Sequence, residues 1–377
     1  MAEGMFWLLV LGGAYSYFIY PLALAVLREL IPVRVAPIGS ARPVSMTLVI
    51  TAYNEERRIR DKLENALSLD YPGLEIIIAS DCSSDRTDEI VREYTDRRVR
   101  LVRAPERLGK ENAQGCAIRE ATGDVIVFSD VATRIETDAL RKLAAYFEEA
   151  TIGAVSSEDR FITQAGEVAG EGAYVRYEMW LRRMESSLAG LVGLSGSFFA
   201  ARKRVCDEWD IHSPSDFNTA LNCARKGLRA VTAPDVLGFY SDLKDPRKEY
   251  DRKVRTVLRG ITAIARHPDA LNVFRFGLFS WQVWSHKIMR WAVPFFAVAL
   301  LASNLSLVGT GAFYALALVA QLAFYGLAFA AHLNERVKRH GAVRIVYFFL
   351  QANVAIADAC WRFFSGERRT TWQPSAR

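Results

Sequence analysis

Charge is missing from two long stretches of this sequence. None occurs between Phe6 and Leu27, and none between Trp291 and Ala331. Cysteine is scarce: Cys82, Cys116, Cys206, Cys223 and Cys360 lie far apart and form no C-x-x-C pair. That pattern excludes a cysteine-paired zinc site and a disulfide framework, and it fits a reducing compartment. The histidines (His212, His267, His286, His332 and His340) show no metal-ligand spacing. No G-x-G-x-x-G or Walker A lysine loop is present, so the usual dinucleotide and P-loop readings fail. The formal net charge is +6. No basic run is interleaved with aromatics, so nucleic acid drops out and a membrane surface or a phosphorylated substrate remains.

The two uncharged stretches read as membrane segments. About 20 apolar residues cross a bilayer, and the run from Phe6 to Leu27 is long enough. It lacks a basic n-region, because Glu3 is the only charge ahead of it, and no small-residue cleavage site follows. It therefore reads as a signal anchor rather than a signal peptide. Arg28, Arg34 and Arg42 follow it, which places the next domain in the cytoplasm. Trp291 to Ala331 is broken at Val308 to Gly311, as a hairpin of two spans would be. The stretch from Phe274 to Met289, with Trp281, Trp284, His286 and Lys287, reads as an interfacial helix. Ile345 to Phe364 carries Gln351, Asn353, Asp358 and Arg362 and reads as interfacial or re-entrant.

Between these segments, strand-like and helix-like stretches alternate. Met46 to Ile50, Leu74 to Ala79, Val99 to Val102 and Val125 to Phe128 are short β-rich runs separated by helical stretches. This alternation implies an α/β domain with a mostly parallel sheet covered by helices. Ligands in such sheets sit at the carboxyl ends of the strands. Three polar, acidic loops follow strands there: Thr51 to Glu56, Ser80 to Thr87, and Ser129 to Thr133. One carboxylate at a strand end is often only a helix cap, as Asp85 could be. Three together suit a ligand presenting hydroxyls and a metal-bound diphosphate, because carboxylates accept from ribose hydroxyls and hold hard divalent cations.

At these residues, from about Val44 to Ile264, the chain resembles the inverting family 2 glycosyltransferases of GT-A fold. The resemblance implies that Thr51, Tyr53, Glu55 and Asp81 hold the nucleotide's base and ribose. Lys110, in Gly109-Lys110-Glu111-Asn112, would lie near the phosphates. Asp130 stands at the first aspartate of the D-x-D element that holds a divalent cation, Mn2+ or Mg2+. Ala132 replaces the second. Ser195 and Gly196, in a small-residue turn from Gly193 to Ala200, would border the donor sugar and acceptor. Asp216, in Ser215-Asp216-Phe217, is similar to the family's general base. Of the Q-x-x-R-W element only the arginine is kept, as Arg255.

The resemblance implies transfer from a nucleotide sugar, a UDP-sugar by analogy, to a polyprenyl-linked saccharide at the inner (cytoplasmic) membrane. The missing tryptophan of Q-x-x-R-W favours single addition. Membrane lipids and a polysaccharide assembly complex are the further expected partners. The rival readings are a processive polysaccharide synthase, transfer directly onto polyprenyl phosphate, and an inactive nucleotide-binding subunit. The expected organisation is an anchor and linker over 1–43, a GT-A domain over 44–270 and a membrane-associated region over 271–377. Tyr174 to Leu191 reads as an amphipathic helix beside the active site, and the tail 371–377 resembles the ending of related membrane transferases.

Overall fold

The computed structural model describes residues 2–31, 44–162, 173–241 and 246–368. Arg34, Arg42 and the tail 371–377, all named above, lie outside the described residues. The chain forms two compact units. One comprises residues 2–24, 246–261 and 281–368; the other comprises the described residues of 25–244 and 262–280.

The second unit is built on one sheet, entered after the apolar helix α1 (Ala2–Leu30). Its elements are β1 (Met46–Ala52), α2 (Ile59–Leu67), β2 (Glu75–Ser80), α3 (Thr87–Arg92), β3 (Val99–Arg103), α4 (Lys110–Glu120) and β4 (Val125–Asp130). Then come β5 (Arg134–Ile135), α5 (Ala139–Tyr146), β6 (Ile152–Ile162), α6 (Ala173–Leu188), β7 (Phe198–Arg202), α7 (Ser215–Arg225) and β8 (Arg229–Ser241). The strand order is β3-β2-β1-β4-β7-β6-β8-β5. The first four strands are parallel, as the βαβα alternation requires. The later half is mixed: β7 runs antiparallel to β4 and β6, and β8 runs parallel to β6.

Every residue of β1 is buried, which a strand covered on both faces demands. Side chains alternate across a strand, so neighbouring residues enter different layers. Leu48, Ile50, Ile76, Ile78 and Val127 join Ile59, Leu63, Leu140 and Leu143 in one core. Val49, Ile77, Ile126 and Phe128 join Ala113, Ala117, Ala220 and Cys223 in the other. Burying such a side chain stabilises the fold by roughly 1.5–3 kcal/mol. Two apolar layers therefore pin the strand register. That register sets Thr51 opposite Asp130 and Ala52 opposite Ser80, which brings the three acidic loops level at one edge.

The unit that holds most of the apolar sequence contains α8 (Pro246–Arg266) in part, with α9 (Leu278–Leu307), α10 (Ala312–Leu333) and α11 (Gly341–Phe364). By length and composition, α1, α9, α10 and α11 could each cross a membrane. The segment expected to lie apart as an interfacial helix is, from Leu278 onward, continuous with the first hairpin helix through a π-turn at Trp284–Ile288. Two of its polar groups find protein partners. Trp281 Nε1 donates to the Tyr15 hydroxyl at 3.1 Å, and that hydroxyl lies 3.0 Å from Ser285 Oγ. Within α11, Asn353 donates to the Phe349 carbonyl, and Arg362 pairs with Asp358 at 2.8 Å.

Candidate active site

The carboxyl edge of β1, β2 and β4 carries the polar loops, and their backbones are locked to one another. Asn54 and Cys82 are the non-glycine residues with left-handed backbones among the described residues, at φ 52° and 57°. One lies in each of the first two loops. Asn54 tolerates the conformation because its side chain binds Ser84, accepting from the backbone at 2.8 Å and donating to Oγ at 3.1 Å. Strained backbone of this kind collects at ligand sites. Glu55, nearly buried, donates its backbone N–H to Thr87 Oγ1 at 2.8 Å. Tyr53 lies under the Arg107 guanidinium, 3.9 Å from ring centre to carbon.

Asp81 is fully buried and extends the β1 ladder by donating its N–H to the Ala52 carbonyl. Its Oδ1 accepts from the Gly109 amide at 3.1 Å. Its Oδ2 is buried with no partner among the described residues, and so is Thr51 Oγ1. Burial pushes the Asp81 carboxyl up, against the pull of the Gly109 amide. Leaving such acceptors unmet is costly, and a ligand hydroxyl or base N–H would satisfy them.

Gly109 turns the chain into α4 with φ 109°, a conformation open to glycine. Lys110 follows, and its ammonium bonds both the Asp130 carboxylate and the Gly196 carbonyl, the latter at 2.7 Å. Asp130 in turn donates its backbone N–H to the Ser197 carbonyl at 3.0 Å. Asp216 lies inside the first turn of α7, which begins at Ser215. Its carbonyl accepts from the Leu194 amide at 3.3 Å. A Cβ added at Gly196 would stand 3.7 Å from Asp216 Oδ2, so the glycine leaves this carboxylate open on the turn's side. Asp130, Lys110, the Ser195-Gly196 turn and Asp216 are thus gathered into one assembly. Arg255 lies on α8, in the part of that helix assigned to the other unit.

Three residues of this site escaped the sequence reading. Lys62 falls among Ile59, Leu63 and Ala66 on the buried face of α2, and a lysine in that register was the available signal. Its ammonium bonds Ser129 Oγ at 2.7 Å and the Thr133 carbonyl, the two ends of the loop that carries Asp130. Burial pushes its pKa down to about 7, against the attraction of Asp130. Asp159, on β6, accepts both hydroxyls of the turn: Ser195 Oγ at 2.7 Å and Ser197 Oγ at 2.8 Å. Burial raises its carboxyl pKa and the two serines oppose the rise. Arg182 of α6 donates to Ser156 Oγ at 2.8 Å, and that oxygen accepts the Ser195 amide at 2.7 Å. The inner face of α6 is therefore committed to the turn and to the core, where Leu181 is fully buried. Tyr174 and Trp180 remain exposed on its other side.

Asp130 offers one carboxylate, and no cluster of three or more metal-binding side chains occurs among the described residues. Ala132 adds no oxygen. A donor set of this kind fits a hard divalent cation that takes most of its remaining ligands from a diphosphate and water.

Residues 47–209 match the model for glycosyl transferase family 2. Over these residues the chain is similar to the family 2 glycosyltransferases. Over 173 residues the chain is 30% identical to the poly-beta-1,6-N-acetyl-D-glucosamine synthase of Staphylococcus epidermidis, and 31% identical to that of Staphylococcus aureus (strain COL). In each case the match spans 44% of the chain and 42% of its relative, less than half of either. Among solved structures, a mannosyltransferase from Pyrobaculum calidifontis in complex with GDP-Man and Mn2+ superposes with a TM-score of 0.75 at 23% identity. That superposition covers 97% of the chain and 100% of the mannosyltransferase, and it bears out the GT-A fold.

The loop that leads into α7 is braced from behind. Burial alone would raise the Asp210 carboxyl, but hydrogen bonds from Arg266, the His212 amide, Ser213 and His267 outweigh it and hold the group well below the usual carboxylate range. A depressed carboxyl contributes stability that is present above its unfolded pKa of about 4 and lost as pH falls below it. Asp210→Asn should therefore lower the apparent melting temperature at pH 7, by about 1–3 kcal/mol of lost interaction. The deficit should shrink below pH 4 in thermal unfolding scans. An equal deficit at both pH values would contradict this account.

Proposed function

We propose that the protein is a transferase that moves a sugar from a nucleotide sugar, with inversion, to a lipid-linked saccharide in surface polysaccharide synthesis, in a single addition. The observation that carries this reading is the placement of Asp216 beside the Gly196 turn, whose carbonyl shares the Lys110 ammonium with Asp130. A base, a turn of small residues and a cation-binding carboxylate together meet the needs of one displacement at an anomeric carbon. Asp216 takes the proton from the acceptor hydroxyl, which attacks opposite the leaving diphosphate. Asp130 would hold the divalent cation, Mn2+ or Mg2+, whose charge offsets that growing on the leaving group. Thr51, Tyr53, Glu55 and Asp81 take the base and ribose, and a UDP-sugar is the donor we favour. Arg255 is assigned to the diphosphate on the strength of the resemblance alone.

The apolar helices supply the reason for a lipid-linked acceptor: a substrate on polyprenyl diphosphate stays at the bilayer surface. The exposed Tyr174 and Trp180 suit that interface, where amphipathic rings settle. In this reading the catalytic unit faces the cytoplasm at the inner membrane. A processive synthase is the second reading, favoured by the polymer named in the Staphylococcus relatives and disfavoured by the altered Q-x-x-R-W element.

Labelled UDP- and GDP-sugars supplied with a membrane lipid extract separate the two. Label that enters the organic phase as a lipid product longer by one sugar supports single addition. A long water-soluble polymer would replace it with the processive reading. Asp81→Asn should also weaken nucleoside diphosphate binding roughly tenfold to hundredfold, the loss expected for a charged hydrogen bond, as measured by calorimetry. Unchanged affinity would remove Asp81 from the nucleotide site.

A further inference from the structure

Lys110 occupies a position that the proposed chemistry does not explain. Its ammonium is almost fully buried and sits between a carboxylate oxygen of Asp130 and the Gly196 carbonyl. Carboxylate and carbonyl oxygens are the ligands a hard divalent cation takes. We propose that Lys110 is the resident counter-charge of Asp130 in the free protein, and that a divalent cation gains Asp130 only together with a nucleoside diphosphate, which draws Lys110 away. This rests on the reading of Asp130 as the cation's ligand.

Three observations support it. First, Asp130 is the only acidic side chain of the loop Ser129 to Thr133, and Ala132 contributes no oxygen, so the free protein offers a cation little. Second, Asp130 already faces two lysines. Lys110 bonds it directly, and the Lys62 ammonium, held by Ser129 and Thr133, lies within electrostatic reach behind it. A divalent ion entering without an anion would meet both. Third, the Lys110 side chain is a flexible four-carbon stem at the start of a helix whose preceding amide is held by Asp81. It can turn from Asp130 to a diphosphate without moving α4. A diphosphate brings the negative charge that both the released ammonium and the incoming ion require. Binding of the two ligands must then be linked reciprocally.

The test is Mn2+ binding to the purified full-length chain in lipid nanodiscs, read by the electron paramagnetic resonance signal of free Mn2+, with and without UDP or GDP. The wild type should bind Mn2+ weakly alone and about tenfold or more tightly with nucleotide. Lys110→Met should bind Mn2+ alone about tenfold more tightly than the wild type, and the gain from nucleotide should shrink. Equal wild-type affinity with and without bound nucleotide would overturn the proposal, and that arm needs no variant to fold. So would a folded Lys110→Met protein that binds Mn2+ alone no better than the wild type. Asp130→Asn separates the two ideas. If it keeps the wild type's nucleotide-linked Mn2+ affinity, the ion is not on Asp130, and the underlying reading fails along with the proposal.

Discussion

Asp216→Asn should reduce sugar transfer by about three orders of magnitude while nucleoside diphosphate affinity stays at the wild-type value. A positioned general base contributes about 10²–10⁴-fold, and a thousandfold loss corresponds to about 4 kcal/mol of transition-state stabilisation. The amide keeps the size of the carboxylate but cannot take a proton from a hydroxyl. The backbone carbonyl of Asp216 still accepts from Leu194, and the Ser215 amide still points at Glu111 Oε1, so the helix start should survive the exchange. The nucleotide contacts proposed here lie on other loops, at Thr51, Tyr53, Glu55 and Asp81. Turnover and nucleotide binding should therefore separate. If both vanish together, Asp216 holds the site in shape and is not the base.

Asp130→Asn should cost about 10²–10³-fold in turnover and flatten the response to Mn2+ or Mg2+. The loss of one preorganised group that stabilises developing charge is of that size. With Ala132 in place of a second aspartate, no nearby side chain in the loop can take over the ligation. The substitution also strips the Lys110 ammonium of its charged partner in a buried setting, which is destabilising in its own right. For that reason the decisive readout is the metal dependence of the remaining activity, not its level. Residual turnover that still rises with metal as in the wild type would place the ion elsewhere.

Much of the first half-domain is legible in the amino-acid sequence. β1 through β4 are apolar runs bounded by turns, and helical stretches lie between them, so period and length agree with one another. The acidic ends at Asp81 and Asp130 follow directly from strand placement, because a parallel sheet exposes its carboxyl ends together. The later half is less readable. β6 and β8 pair in parallel across a register shift, and β7 inserts between β4 and β6, a long-range choice that no local pattern encodes. Asp159 and Arg182 belong to that half, and their partners are serines far away in sequence. Lys62 is visible as a charge on an apolar helix face, but its acceptors are a hydroxyl and a carbonyl on a loop some seventy residues on. The stretch from Phe274 to Met289, read as a separate interfacial helix, runs from Leu278 straight into the first hairpin helix, a continuity that its mixed composition does not announce. Tyr15 and Ser285, distant in sequence, supply the hydrogen-bond chain that ends at Trp281.

The most direct test of the central claim is release of nucleoside diphosphate by the full chain in lipid, across a panel of nucleotide sugars, with Mn2+ or Mg2+ and a lipid extract as acceptor. The account predicts metal-dependent turnover of one donor, lost in Asp216→Asn. Absence of turnover with every donor, while nucleotide still binds, would contradict it and leave a nucleotide-binding subunit without catalysis.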